Sequence, residues 1–164
     1  MGDRKMKVEF DIKITASDLY DYMLAHTYSG FSGIFGTAVG AILIILWSQT
    51  KMFYYLIAGI VILLYIPCSL YWRAKRQVAG NAFFKNAIHY TLTDEGVSVS
   101  QGEAEMTQPW AAVVKASSTN KSILLYTSNV NAWIFPKRDL GEKRVEVIQM
   151  ISTHVAPDRV KIKQ

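Results

Sequence analysis

The sequence predicts an α+β membrane protein, a two-helix transmembrane hairpin inserted into an antiparallel β-barrel or β-sheet unit that a C-terminal amphipathic helix closes. Three observations predict it. Two apolar runs, residues 31–49 and 53–72, stand back to back with only Thr50, Lys51 and Met52 between them. No Asp, Glu, Lys or Arg occurs from residue 26 through 50 or from 52 through 72, so each run offers roughly 20 residues, enough to cross a hydrocarbon layer about 30 Å thick. The flanks carry the charge and alternate apolar with polar residues, the period of half-buried strands. The chain therefore divides into residues 1–30, the hairpin at 31–72, and residues 73–164. Its average composition, 51% hydrophobic with a mean hydropathy of +0.14, conceals the division.

In the first flank, Met6, Val8, Phe10, Ile12 and Ile14 alternate with Lys7, Glu9, Asp11 and Lys13. One strand cannot satisfy its own backbone or bury its own apolar face, so it must pair with strands that follow the membrane segment. Thr15 and Asp18 have capping-box spacing, and Leu19, Tyr20, Tyr22, Met23 and His26 give an amphipathic helix expected at the membrane interface.

The first apolar run begins too late for a secretory signal and is read as a retained helix. It carries Gly33, Gly36 and Gly40, whose spacing allows close helix approach. Packing against the second helix near Gly59 is favoured, with a homodimer contact as the alternative. Pro67 is expected to kink the second helix near its exit. Trp47, Tyr54, Tyr55, Tyr71 and Trp72 stand at the run ends as interfacial anchors. Cys68, the single cysteine, is read as an apolar filler in preference to an acylation site. With no ionisable group inside either run, ion pathways and proton relays are not indicated.

Basic residues set the orientation. Arg73, Lys75, Arg76 and Lys85 follow the hairpin and Arg4, Lys5, Lys7 and Lys13 precede it, whereas the connection carries only Lys51. Both termini are expected in the cytoplasm. This also accounts for the net charge of +5 without a nucleic-acid partner.

After the hairpin, residues 73–84 continue the second helix. Strands follow at 88–93 and 97–101 around a turn at Asp94, Glu95 and Gly96, where glycine is expected to supply a left-handed backbone angle. Further extended segments are expected at 103–106, 112–117, 123–127 and 132–135. Asp139, with Glu142 three residues on, should cap a last helix whose stripe of Val145, Val147, Ile148, Ile151 and Val155 ends at Pro157. Short antiparallel strands closed by one helix form the pattern of a pleckstrin-homology (PH)-like barrel.

The order of these features, with the 90–96 run Tyr-Thr-Leu-Thr-Asp-Glu-Gly, the lone Trp110, and Phe-Pro-Lys-Arg-Asp-Leu at 135–140, resembles the YcxB-like family of bacterial membrane proteins. The resemblance implies two membrane helices, a PH-like cytoplasmic domain and a place in the bacterial inner (plasma) membrane. It implies no biochemical activity.

Candidate sites follow from chemistry. Arg73, Lys75, Arg76 and Lys85 beside the membrane suit an anionic lipid headgroup. Trp110 and Pro136 are read first as packing residues and Lys137 and Arg138 as a solvated pair at a strand end, and all four are kept as a candidate surface for a partner or ligand. His26, His89 and His154 lie in three separate elements without ligand spacing, and no metal or cofactor is expected. Phosphate-loop, zinc-hydrolase and nucleophile motifs are missing, so no enzyme is indicated. The expected function is a membrane-anchored, non-enzymatic binding or scaffold protein for an unidentified protein partner. The alternatives are an anionic-lipid module and an immunity protein against a membrane-acting toxin.

Overall fold

The first strand sets the architecture. In the computed structural model, which describes residues 6–162, β1 (Lys7–Ile12) buries Val8, Phe10 and Ile12 on one face. It pairs antiparallel with β2 (Ile88–Thr93), Phe10 opposite Tyr90 and Ile12 opposite Ile88. The leading segment thus rejoins the sheet across the whole helical insertion. Arg4 and Lys5, counted among the basic residues above, lie outside the described residues.

From β2 the sheet continues through β3 (Gly96–Gln101) to β4 (Ala104–Pro109) in the order β1-β2-β3-β4. Gly96 does not provide a left-handed turn: the positive-φ positions among the described residues are Lys51, Gly102 and Gly141. It is needed for close approach instead, because a Cβ there would run into the Gln108 carbonyl of β4. A 3₁₀ turn at Trp110–Ala112 then separates the sheets, so the strand expected from 112 begins only at Lys115.

The second sheet has the order β7-β6-β5-β8, with β5 (Lys115–Ser118), β6 (Ser122–Tyr126), β7 (Ala132–Pro136) and β8 (Val160–Lys161). These are two open four-stranded sheets and not the expected closed barrel. β4 is exposed along nearly its whole length, and the chain leaves it through the 3₁₀ turn without carrying a strand from one sheet into the other. Every residue of β6 is buried, as suits a strand covered on both faces. β8 runs parallel to β5 after a 3₁₀ turn at Pro157–Arg159; the sequence reading ended at Pro157 and missed it.

The core between the sheets is aromatic at its centre. Phe10 stacks on Tyr90 at 5.7 Å, and Phe135 meets both rings edge-on at 5.3 and 4.9 Å. The last helix starts differently from expectation. A short α4 (Lys137–Leu140) and a 3₁₀ turn precede α5 (Arg144–His154), whose start has no side-chain cap. Asp139 instead accepts from the Lys13 backbone N–H at 3.1 Å. α5 sends Val147, Met150 and Ile151 into the core.

Between β1 and β2 come three helices. α1 (Ala16–Ser29) starts with the expected capping box between Thr15 and Asp18. α2 (Phe31–Thr50) and α3 (Phe53–Gly80) are long and apolar enough to cross a membrane, and the most apolar stretch of each is only 11% buried. α3 is assigned as one helix through Pro67. It ends at Gly80, short of the expected 84, where Asn81 Oδ1 accepts from Phe83 N–H and starts a 3₁₀ turn at Ala82–Phe84. The glycines pack within the hairpin: a Cβ on Gly40 would lie 2.6 Å from Leu63 and 3.2 Å from the Gly59 carbonyl. Gly33 serves the preceding corner, where a Cβ would lie 2.6 Å from the Thr27 carbonyl of α1.

Candidate functional site at the base of the helical hairpin

α1 is where the helices are fastened to the sheets, so its sequence decides what stands at the junction. Leu19, Met23 and His26 recur at helical spacing on one face. Beside that face, Tyr22 on its border and Asp18 and Asp21 farther round bind the second sheet and its loops. The Tyr22 hydroxyl donates to the Val130 carbonyl at 2.5 Å, Thr119 donates to Asp21, and Lys121 Nζ donates to Ser17 Oγ at 3.0 Å.

Asp18 is the firmest of these ties. Its side chain is fully buried and accepts from Arg138 Nη1 at 2.5 Å and Nη2 at 2.8 Å. Burial alone would raise its pKa, but the hydrogen bonds from Arg138 and Thr15 outweigh that and hold the carboxyl below its usual range. The hydrogen bonds to Asp18, with help from Asp139, raise the pKa of the Arg138 guanidinium.

This bracing leaves a cavity of about 420 Å³ between α1 and α3. Tyr22, Met23 and His26 line it from α1, and Leu70, Arg73 and Gln77 from α3. Phe83 and Phe84 form a further wall, opposite Trp133 and Ile134 of β7. The interior is chiefly apolar. Burial raises the pKa of both Tyr22 and Tyr90, so their phenols stay neutral. Among the described residues, no carboxylate lines the cavity, and Arg73 is its one permanently charged side chain.

The predicted site residues distribute unevenly around it. Of the four basic residues beside the hairpin, Arg73 lines the cavity. Lys75 lies over the Tyr71 ring at 5.2 Å, and Arg76 and Lys85 are exposed elsewhere on the surface. The other candidate set does not form one exposed surface. Trp110 is 7% exposed, donates to the Thr93 carbonyl at 2.8 Å and stacks on His154 at 5.0 Å. Pro136 is buried at the end of β7. Lys137 Nζ donates to the Thr119 carbonyl at 2.7 Å, and burial together with nearby Arg144 lowers its pKa. Arg138 is spent on Asp18, on Asp139 at 3.1 Å and on the Lys13 carbonyl at 3.0 Å. Trp110 and Pro136 thus serve packing, and Lys137 and Arg138 are engaged within the domain. Tyr22, Met23, Gln77 and Trp133 were not foreseen as site residues. The available signal was the periodic face of α1, which was assigned to the membrane interface and not to a cavity wall.

The arrangement suits binding by shape and charge. Among the described residues, no group of His, Cys, Asp and Glu is placed to hold a metal ion. No curated protein and no solved structure matches the chain. Residues 92–151 match the family described as YcxB-like protein, a stretch that starts in β2 and ends in α5, beyond the helical hairpin.

Proposed function

Taking that family match as the premise, we propose that this is a membrane-anchored, non-enzymatic binding protein. It presents its two-sheet domain, a variation on the PH-like pattern, at the inner leaflet of a bacterial plasma membrane, with both termini cytoplasmic. The observation that carries the reading is the cavity at the junction. The sheets are fastened to the base of two exposed apolar helices, and a roomy, chiefly apolar recess with a charged rim stands at that base. A volume of about 420 Å³ falls within the usual range of small-ligand sites, about 300–1,000 Å³. A tethered module also meets its ligand at a high local concentration, so modest affinity suffices.

Photo-crosslinking in cells tests the proposal. A photoreactive residue replaces Thr27 or Val130 at the cavity, or Val145, which is 72% exposed on α5. Adducts concentrated at the two cavity positions support the reading. Labelling equal to that at Val145, or none at any position, removes it.

A further inference from the structure

Arg73 stands in an unusual place for a surface cation. It is the first charged residue after an uncharged stretch that runs from residue 52 to 72, and its guanidinium has no hydrogen-bond or ion-pair partner among the described residues. Gln77, one turn farther along the same helix face, is likewise without a side-chain partner. Both line a cavity to which no described residue brings a carboxylate. Arg138, by contrast, holds two carboxylates. Arg73 is therefore free to meet an anion from outside the chain.

The apolar part of the cavity says what kind of anion. Leu70, one turn before Arg73, lines it and also belongs to the apolar length of α3. Its neighbours Tyr71 and Trp72 are exposed, at the level where amphipathic rings mark a headgroup zone. Leu70 itself is buried, at 7% exposed, and the cavity's apolar wall, which Met23, Phe83 and Ile134 complete, begins at the level of those rings. A soluble anion such as free phosphate would leave those walls unused. An amphiphile drawn sideways from the leaflet would cover them and bring its phosphate to Arg73.

We infer that the cavity between α1 and α3 binds one anionic phospholipid of the adjoining leaflet, with Arg73 and Gln77 on the headgroup phosphate and the first acyl methylenes against Leu70, Met23 and the Phe83 wall. The inference rests on the reading of the protein as a membrane-held binding module and names its ligand class. The site differs from a general basic patch, because Lys75, Arg76 and Lys85 attract an anionic surface without lining the cavity.

Full-length protein is reconstituted in nanodiscs of equal parts phosphatidylcholine and phosphatidylglycerol, and retained lipid is read by native mass spectrometry after release. One phosphatidylglycerol per chain is expected, with no comparable retention of phosphatidylcholine. Arg73→Gln should lower retention about tenfold, the loss of one charge-assisted hydrogen-bonding group. Arg73→Lys should restore part of it, and Arg76→Gln should leave it unchanged. Met23→Trp, which fills the cavity and keeps every charge, should also abolish retention. Circular dichroism of each variant separates lost binding from lost folding.

Equal losses in Arg73→Gln and Arg76→Gln, or retention unaffected by Met23→Trp, would overturn the inference in favour of a diffuse charged surface. A peptide or soluble metabolite crosslinked at Thr27 and Val130, without retained lipid, would leave the binding module standing and remove the lipid from it.

Discussion

Asp18 and Arg138 stand 120 residues apart in the chain and meet through hydrogen bonds of 2.5 and 2.8 Å. One opens the helix that leads into the apolar hairpin, and the other lies just after β7, an edge strand of the second sheet. The pair therefore locks the entry of the hairpin to the domain beneath it.

Removing either partner should loosen that lock. Asp18 is fully buried whereas the Arg138 side chain is 49% exposed, so solvent screens part of the attraction and the loss should be about 2 kcal/mol rather than the larger cost of a wholly buried pair. Arg138→Ala and Asp18→Ala should each lower unfolding stability in detergent, and the double variant should lose less than the sum of the two. The pH dependence has a definite sign. Because the Asp18 carboxyl lies below its usual value in the folded protein, its contribution is fully present above a pH of about 3.9 and is lost as pH falls through the folded value. Denaturant melts between neutral and acid pH should show a shallower acid loss in Asp18→Asn than in the parent.

The pairing of β1 with β2 makes a second expectation. Phe10 is 4% exposed and contacts both Tyr90 and Phe135. Phe10→Ala should cost about 3–5 kcal/mol and release protease-sensitive sites in the C-terminal sheets as well as in the first strand. Cleavage confined to the leading residues would show that β1 is an accessory strand and not part of the shared core.

Much of this arrangement was legible in the chain because its signals were local or periodic. Alternation from Met6 to Ile14 identified a half-buried strand, and an isolated strand has to find partners, which pointed past the hairpin to β2. The two uncharged runs gave α2 and α3, and the Thr15 and Asp18 spacing gave the start of α1. What was missed depends on contacts between distant positions. Nothing in the local pattern of Asp139 says that it will accept from Lys13 rather than cap a helix. Trp110 has the same residue type whether it covers His154 or faces solvent. The closed barrel failed because strand count carries no information on whether β4 meets β5. The cavity walls came from α1, α3 and β7, three elements whose meeting no single segment encodes. Arg73 was identified by its charge and place, but its separation from Arg76 and Lys85 required the fold.

Close packing inside the hairpin leads to an ordering among glycine variants. At Gly59 an added Cβ would lie 2.9 Å from the Gly40 carbonyl, whereas at Gly36 it would lie 2.7 Å from the terminal carbon of Ile66. A backbone carbonyl cannot move without shifting its helix, but the end of an isoleucine side chain can turn away. Gly59→Ala should therefore lower the melting temperature in detergent, at a cost of about 1–3 kcal/mol. Gly36→Ala should be nearly neutral, since the better helix propensity of alanine, about 1 kcal/mol, offsets the small rearrangement. The reverse order would indicate that Gly36 faces a second chain.

The basic residues around the hairpin specify an orientation that labelling can check. Arg73, Lys75 and Arg76 lie within the last turns of α3, whereas the connection at the other end carries Lys51 alone. Positive charge of this kind stays on the cytoplasmic side during insertion. With Cys68 replaced by serine, Met52→Cys, at a position 51% exposed in that connection, should react in intact spheroplasts with a membrane-impermeant maleimide. Lys85→Cys, on the domain side, should react only after lysis. Reaction of Lys85→Cys in intact cells would turn the protein over and place the Arg73 cavity outside the cytoplasm. Protection of both positions until lysis would mean that the helices do not cross the membrane.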